Sequence, residues 1–347
     1  MAILRALFLS TTLAWAAFSH AADNEVNVYS ARHYPSDTAL YQGFTAATGI
    51  AVKRIDGTDA GILARLRAEG TRSAADVVLL VDATRLWRAQ QDGLFAPIRS
   101  SILETAVPPA YRAEADADGA TAWFGLSSRA RLIVYDKTRF QAQDVDTYEK
   151  LASPALAGAV CLRSGSHPYN LSLFTAMVNH TGAEKTERWL QQLVGNMARA
   201  PKGGDTDQMR AVASGECGVA VVNSYYLARL MLSEKADDQQ VVQRLATVFP
   251  NQASWGTHMN IAGGAVAAHS QNKTNAVKFL EYLVSTSAQQ HFANGNNEWP
   301  IKAGTAYNNR ALSEMSPNGF KADALPVNKM GPYVADVQRM LDRVKFQ

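Results

Sequence analysis

The sequence predicts an α/β protein of two lobes that share crossover strands and enclose a cleft. Three observations carry this. Strand-like and helix-like patterns alternate along the chain, its 347 residues exceed what one hydrophobic core usually organises, and a long strand-like stretch leads from one alternating set into a second. The first set opens with a short strand at "EVNVYSA", then a helix from about Ser36 that turns Leu40 and Phe44 inward and stops at "TGI". A second strand, "AVKRID", precedes a helix at "AGILARLRAEG", a buried strand at "ADVVLLV" and a helix at "DATRLWRAQQDGL". Such alternation argues for parallel sheets. "WFGLSSRARLIVYDK" reads as one or two strands passing from one lobe toward the other. The second set runs through "GAVCLR", a helix from about Asn170, a helix near "AEKTERWLQQLV", the strand "GVAVVNS" and the helix "YYLARLMLSEK". The late strand "NIAGGAVAA" and a long helix, "KTNAVKFLEYLVSTSAQQHFAN", return to the first lobe. The expected boundaries are a leader at 1–21, a first lobe of 22–128 with 251–305, and a second of 129–250 with 306–347.

The leader follows from "MAILRALFLSTTLAWAAFSHAAD". It has one basic residue, Arg5, an apolar stretch from about Ala6 to Phe18, and small residues at Ser19 and Ala21 ahead of polar sequence. That is the pattern of a secretory signal peptide cleaved near Ala21/Ala22, and no later run approaches the roughly 20 apolar residues of a membrane-spanning helix. A soluble, exported chain is expected. Without Arg5 it carries 33 basic against 31 acidic side chains, and no basic stripe suggests nucleic acid. The cysteines, Cys161 and Cys217, are an even pair in an exported chain, which favours a structural disulfide. A redox or metal pair is the alternative, but they stand 56 positions apart with no close Cys or His partner in zinc spacing.

In open parallel sheets, ligands bind beyond the carboxyl ends of the strands. After the first strand stand His33 and Tyr34. After "AVCLR" comes "SGSHPYN", with Tyr169 just before or inside a helix start that Asn170 can cap, and with Pro168 holding His167 out of helical conformation. After "GVAVV" comes "NSYY", where Asn223 or Ser224 can cap the helix carrying Tyr225 and Tyr226. Three junctions thus offer phenols. Each has an ordinary explanation as well: the chain holds 12 tyrosines, adjacent tyrosines more often pack than react, and Tyr169 suits the base of a loop. At the first turn of a helix, however, both phenols of a pair can lean over a cleft, where the partial positive charge favours phenolate. Arg229, four residues beyond Tyr225, either adds a cation there or is a solvated surface arginine. Calcium and magnesium call for carboxylates, zinc calls for cysteine or histidine sets, and tyrosinate is a ligand of ferric haem iron. Ferric ion fits several phenols and one imidazole best.

Those stretches resemble the periplasmic ferric-ion-binding proteins that feed iron to ATP-driven importers. The fold this implies is the type II periplasmic binding-protein fold, α/β and two-lobed, with a central ligand cleft and crossover strands. The resemblance spans essentially the whole mature chain and rests on "VNVYSARHY", "TGI", "ADVVLLVDATRLWRA", "GLSSRARLIVYDK", "VCLRSGSHPYNLSL" and above all "VVNSYYLARL", in that order. It implies that Tyr225 and Tyr226 coordinate iron. The branch that uses a synergistic phosphate has a glutamate ligand at the end of the "ADV" strand, where this chain has Val81 followed by Asp82. The tyrosine-rich branch instead adds phenols at the positions of Tyr34 and Tyr169 and a cysteine pair like Cys161 and Cys217. Arginines near its metal or an accompanying carbonate are matched by Arg129 and Arg229, and His33 stands where some members have a ligand. The implied cargo is Fe3+, with a synergistic anion such as carbonate allowed. The implied partners are an inner-membrane ABC permease and its ATPase, the implied location is the periplasm, and the implied state is a monomer.

Two other functions stay open at this point. Tyrosinate-bound iron occurs in hydrolases with two-metal centres, but such sites need carboxylates and histidines around a second metal. The seven histidines show no such spacing, so no enzyme is expected. The same fold also serves binding proteins for anions, polyamines or metal chelates, since fold does not decide function. Colour separates the readings, because ferric tyrosinate absorbs visible light.

Overall fold

A computed structural model describes residues 24–32 and 34–346, so the expected leader and His33 lie outside the described residues. Strand β1 (Glu25–Ser30) feeds helix α1 (Asp37–Thr48), which buries Leu40 and Phe44. The helix ends where Gly49 takes a φ of 73°, a left-handed conformation that a Cβ would resist. β2 (Ala51–Asp56) is followed by α2 (Asp59–Glu69), capped by the Thr58 hydroxyl, which accepts from the Gly61 N–H. β3 (Val77–Leu80) is apolar and wholly buried, and it leads into α3 (Ala83–Gln91), capped by Asp82. After β4 (Phe95–Ala96) and α4 (Ser101–Ala106) comes β5 (Phe124–Asp136), 13 residues buried throughout.

The next stretch comprises β6 (Val160–Cys161), α5 (Pro168–Thr181), α6 (Ala183–Gly195) and α7 (Asp205–Ala213). It continues with β7 (Val219–Asn223), α8 (Ser224–Met231), α9 (Ala236–Arg244) and β8 (Leu245–Val248). The chain then returns through β9 (Met259–Ala267), α10 (Lys273–Leu283), α11 (Thr286–Asn296) and β10 (Trp299–Pro300). It finishes with α12 (Arg310–Met315), a 3-10 stretch at Val327–Tyr333 and α13 (Val334–Arg343).

The strand order β2-β1-β3-β9-β5-β7-β6 shows how two sheets share one strand. From Phe124 to Ala130, β5 pairs antiparallel with β9; from Arg131 onward it pairs antiparallel with β7 and, on its other edge, with β8. Pairing is parallel for β1 with β2 and β3, and for β6 with β7. The sheets are therefore mixed rather than purely parallel, because β5 and β9 run against their neighbours. One apolar cluster gathers Val26, Phe44, Val78, Leu126 and Phe279, and a second gathers Ile133, Phe174, Trp189 and Val221. Val327 and Met330 pack into the first and Val337 and Leu341 into the second, so the end of the chain is built into both.

The long helix expected from Lys273 to Asn296 is two helices: Ser285 caps a fresh start by accepting from the Ala288 N–H. Helices α7 and α9 and strand β8 add elements the sequence reading did not place. Cys161 and Cys217 form a disulfide with a Cα–Cα distance of 5.9 Å, joining β6 to the approach to β7.

Candidate metal centre

Tyr34 leaves the β1–α1 junction two residues after Arg32. The Arg32 guanidinium is buried and paired with Asp37 at 2.9 Å and Glu298 at 3.1 Å, which pins the turn. Its carbon sits 5.0 Å from the Tyr34 ring centre, and the Tyr34 hydroxyl donates to Glu298 Oε1 at 3.3 Å.

Tyr169 occupies the second position of α5 rather than a loop. Pro168 takes the first position, where a missing N–H costs nothing and its fixed φ suits the helix. His167 is the cap: its Nδ1 accepts from the Tyr169 N–H at 3.3 Å. Asn170 does not cap; it is buried inside the helix and donates to the carbonyls of Arg163 and Ser164 at 3.0 Å each. Tyr225 and Tyr226 lie in the first turn of α8, where neither expected cap operates. Asn223 instead accepts from Arg131 Nη1 at 3.1 Å, and the Ser224 hydroxyl accepts from the Ala130 N–H at 3.2 Å.

These junctions converge. The hydroxyls of Tyr169 and Tyr225 share a hydrogen bond at 3.0 Å, the Tyr34 and Tyr225 rings meet edge to face at 6.2 Å, and the Tyr225 and Tyr226 rings lie 4.2 Å apart. Beside them opens a cavity of about 600 Å³, lined in part by Asp59, Val81, Arg163, His167, Tyr169 and Tyr226. Burial pushes the phenols of Tyr34, Tyr169 and Tyr225 up from the ordinary tyrosine range. Neighbouring phenols push Tyr225 further, while the Arg129 guanidinium opposes the rise at Tyr169. Without a cation the three are neutral and bonded to one another or to Glu298.

Positive charge surrounds the cluster. The guanidinium carbons of Arg163, Arg129 and Arg131 lie 5.1, 5.3 and 5.9 Å from the Tyr169 ring centre. Arg129 is buried, 3.8 Å from Glu298 Oε1, and its Nε and Nη2 have no hydrogen-bond partner among the described residues. Arg229 is exposed and covers Tyr226 at 5.4 Å and Tyr225 at 6.0 Å, a place at the rim. Burial, with Arg163 and Arg131 close by, pushes His167 down to about 3, so its imidazole is neutral.

The carboxylates beside the phenols are already engaged: Glu298 pairs with Arg32 and accepts from Tyr34, and Asp59 accepts from the Val81 N–H at 3.0 Å. Asp82, next to Val81 just after β3, is also committed: it accepts from the Thr84 N–H at 2.8 Å, from Ser172 at 2.7 Å and from Asn260 at 2.7 Å. Among the described residues no group of three His, Cys, Asp or Glu could hold a metal. The arrangement can offer phenolate oxygens and stabilise their charge with arginine. The sequence reading missed Glu298, Arg163 and Arg131, although Arg131 had a signal, since it lies two residues beyond Arg129 on one face of β5.

A family model described as bacterial extracellular solute-binding protein matches residues 39–318. Iron uptake protein A1 of Synechocystis is 43% identical over 323 residues, which cover 93% of this chain and 88% of that protein. A Trichodesmium protein solved in complex with iron and citrate ligands superposes with a TM-score of 0.87 at 43% identity, over 93% of this chain and 100% of that one. A ferric binding protein from Campylobacter jejuni gives a TM-score of 0.85 at 33% identity, over 93% of this chain and 100% of that one.

Proposed function

Because the chain belongs to the bacterial extracellular solute-binding proteins, we propose that it captures ferric iron in the interlobe cleft through tyrosinate ligands and delivers it to a membrane permease driven by an ATPase. Tyr34, Tyr169, Tyr225 and Tyr226 supply the phenolates, and His33 supplies an imidazole. The observation that carries this reading is the meeting of the Tyr169 and Tyr225 oxygens at 3.0 Å beside the guanidiniums of Arg129 and Arg163, with no metal-holding group of three carboxylate, histidine or cysteine side chains among the described residues. A ferric ion with four phenolates has one net negative charge, which the buried Arg129 balances in a medium where an unpaired charge is costly. The Arg129 N–H groups that no described residue satisfies, with Arg229 at the rim, suit a carbonate or carboxylate in any position the side chains leave open. The iron bound by the Trichodesmium relative supports the same cargo here.

The lobes of this reading are 22–128 with 251–305 and 129–250 with 306–347, and the leader directs the chain to the periplasm, where it acts as a monomer and catalyses nothing. The test is a spectrum. Mature protein titrated with ferric citrate should develop a visible phenolate-to-iron band that saturates at one iron per chain. A colourless protein at saturating iron sinks the proposal.

A further inference from the structure

Asp205 lies in the first turn of α7 with its side chain fully buried, yet none of its hydrogen bonds goes to a phenol. It is not the cap of its own helix, because Asp207 does that work by accepting from the Gly204 N–H at 2.7 Å. The Asp205 carboxylate instead accepts from Arg131 Nη1 at 2.6 Å, from Arg163 Nη1 at 3.1 Å and from the backbone N–H of Asn223 at 2.7 Å. Each donor belongs to a different part of the site. Asn223 is the residue from which α8 starts, two positions before Tyr225. Arg163 precedes the turn into α5, and its guanidinium carbon lies 5.1 Å from the Tyr169 ring. Arg131 ties the two together, donating through Nη1 to Asn223 Oδ1 at 3.1 Å and through Nη2 to Asn170 Oδ1 at 2.8 Å. Asn170 follows Tyr169 and is itself bonded back to the Arg163 and Ser164 carbonyls.

A buried carboxylate that accepts three bonds, two of them from cations, holds its partners in one geometry. That geometry suits a metal. Oxygen ligands at right angles about 2.0–2.1 Å from an octahedral ion stand about 2.9 Å apart, and the Tyr169 and Tyr225 oxygens are 3.0 Å apart here. We propose that Asp205 is a positioning residue for metal capture, holding the starts of α5 and α8 at the spacing that sets these two phenol oxygens within reach of one ion. The role rests on the ferric-ion reading above. It differs from a charge effect in sign. Removing a negative charge near the phenols would by Coulomb's law favour phenolate and tighten binding, whereas loosening the two helix starts weakens it.

The experiment compares wild type, Asp205→Asn and Asp136→Asn in the mature protein. Asp136 is another fully buried carboxylate of β5, paired with Arg244 at 2.8 Å and five residues beyond Arg131, so it controls for loss of a buried ion pair away from the phenols. Ferric affinity is read by citrate competition, and the position of the visible band is read at saturating iron. Asp205→Asn should weaken affinity by about 10- to 100-fold, the usual effect of losing a partner that orients a ligand, and should move the band. Asp136→Asn should lower the melting temperature and move neither. Arg163→Gln removes one arm of the same network from a side chain 14% exposed, so it serves if Asp205→Asn does not fold, and it should move the band in the same direction. Wild-type affinity and band in Asp205→Asn or Arg163→Gln, tighter binding in Asp205→Asn, or an equal loss in Asp136→Asn would overturn the inference. A wild-type chain that stays colourless with iron overturns the ferric reading, and this role with it.

Discussion

A buried phenol is a poor ligand until something displaces its proton, and the site holds three whose protons are held tightly. Burial raises Tyr34, Tyr169 and Tyr225 above the ordinary tyrosine value, so near neutral pH each must release a proton to bind iron. The sign follows directly: below the native value, each coordinated phenol lowers the apparent affinity by a factor of ten for every unit the pH falls. Iron should therefore leave on acidification, with a slope approaching three protons from these residues, measurable by equilibrium dialysis across pH 5 to 8. Metal and colour both retained in strong acid would be incompatible with phenolate ligands. Single substitutions test the same residues one oxygen at a time. Tyr169→Phe and Tyr225→Phe keep ring and packing and should each weaken ferric binding by roughly 100-fold or more, beyond the 10- to 100-fold usual for groups one step removed from a metal. Tyr282→Phe, whose ring packs on Phe44 at 5.5 Å in the first apolar cluster, should leave the band unchanged. Unaltered affinity and colour in Tyr169→Phe would remove that phenol from the ligand set.

At the scale of elements, the site depends on where helices start. Pro168 starts α5 ahead of Asn170 and so puts Tyr169 in the first turn of a helix, which fixes its backbone. Behind that turn, the disulfide joins β6 to the approach to β7, the two parallel strands that lead to α5 and α8. Closing a loop with a sequence separation of 56 should stabilise the fold by about 4 kcal/mol through the unfolded chain. Paired Cys161→Ser and Cys217→Ser should lower denaturation stability by about that amount and leave the iron band in place; a shifted band would show that the bridge also shapes the site. The first alternating set was legible in the sequence because local signals mark its element ends: Gly49 closes α1, and Thr58 and Asp82 cap the helices after β2 and β3. The phenols were legible for the same reason, standing just after strands. Helix α7 has only 9 residues, three of them charged in its sequence DTDQMRAVA, so it gave little periodic signal. Glu298 and Asp205 could not be read at all. Tyr34 and Glu298 are 264 positions apart, and Arg131 and Asp205 are 74 apart, so only tertiary pairing brings them together.

For the molecule as a whole, the proposed ligand set spans two bodies that β5 and β9 connect. Tyr34 follows β1 and packs with the first body, whereas Tyr169, Tyr225 and Tyr226 stand on helices of the second. The bodies are in contact here: Tyr34 meets Tyr225 at 6.2 Å, and Ser172 of α5 donates to Asp82 at 2.7 Å. A cation can favour this closed arrangement only by as much as it binds it better than an open one, and the difference comes from the ligands of the first body. Iron loading should therefore compact the protein in small-angle scattering. Tyr34→Phe separates capture from closure, because it removes a first-body phenol and leaves the three on the second body intact. The variant should still colour with iron, bind it more weakly and compact less than wild type. Compaction equal to wild type in Tyr34→Phe, or no change in the radius of gyration of wild type on loading, would mean that closure does not depend on a metal ligand from the first body.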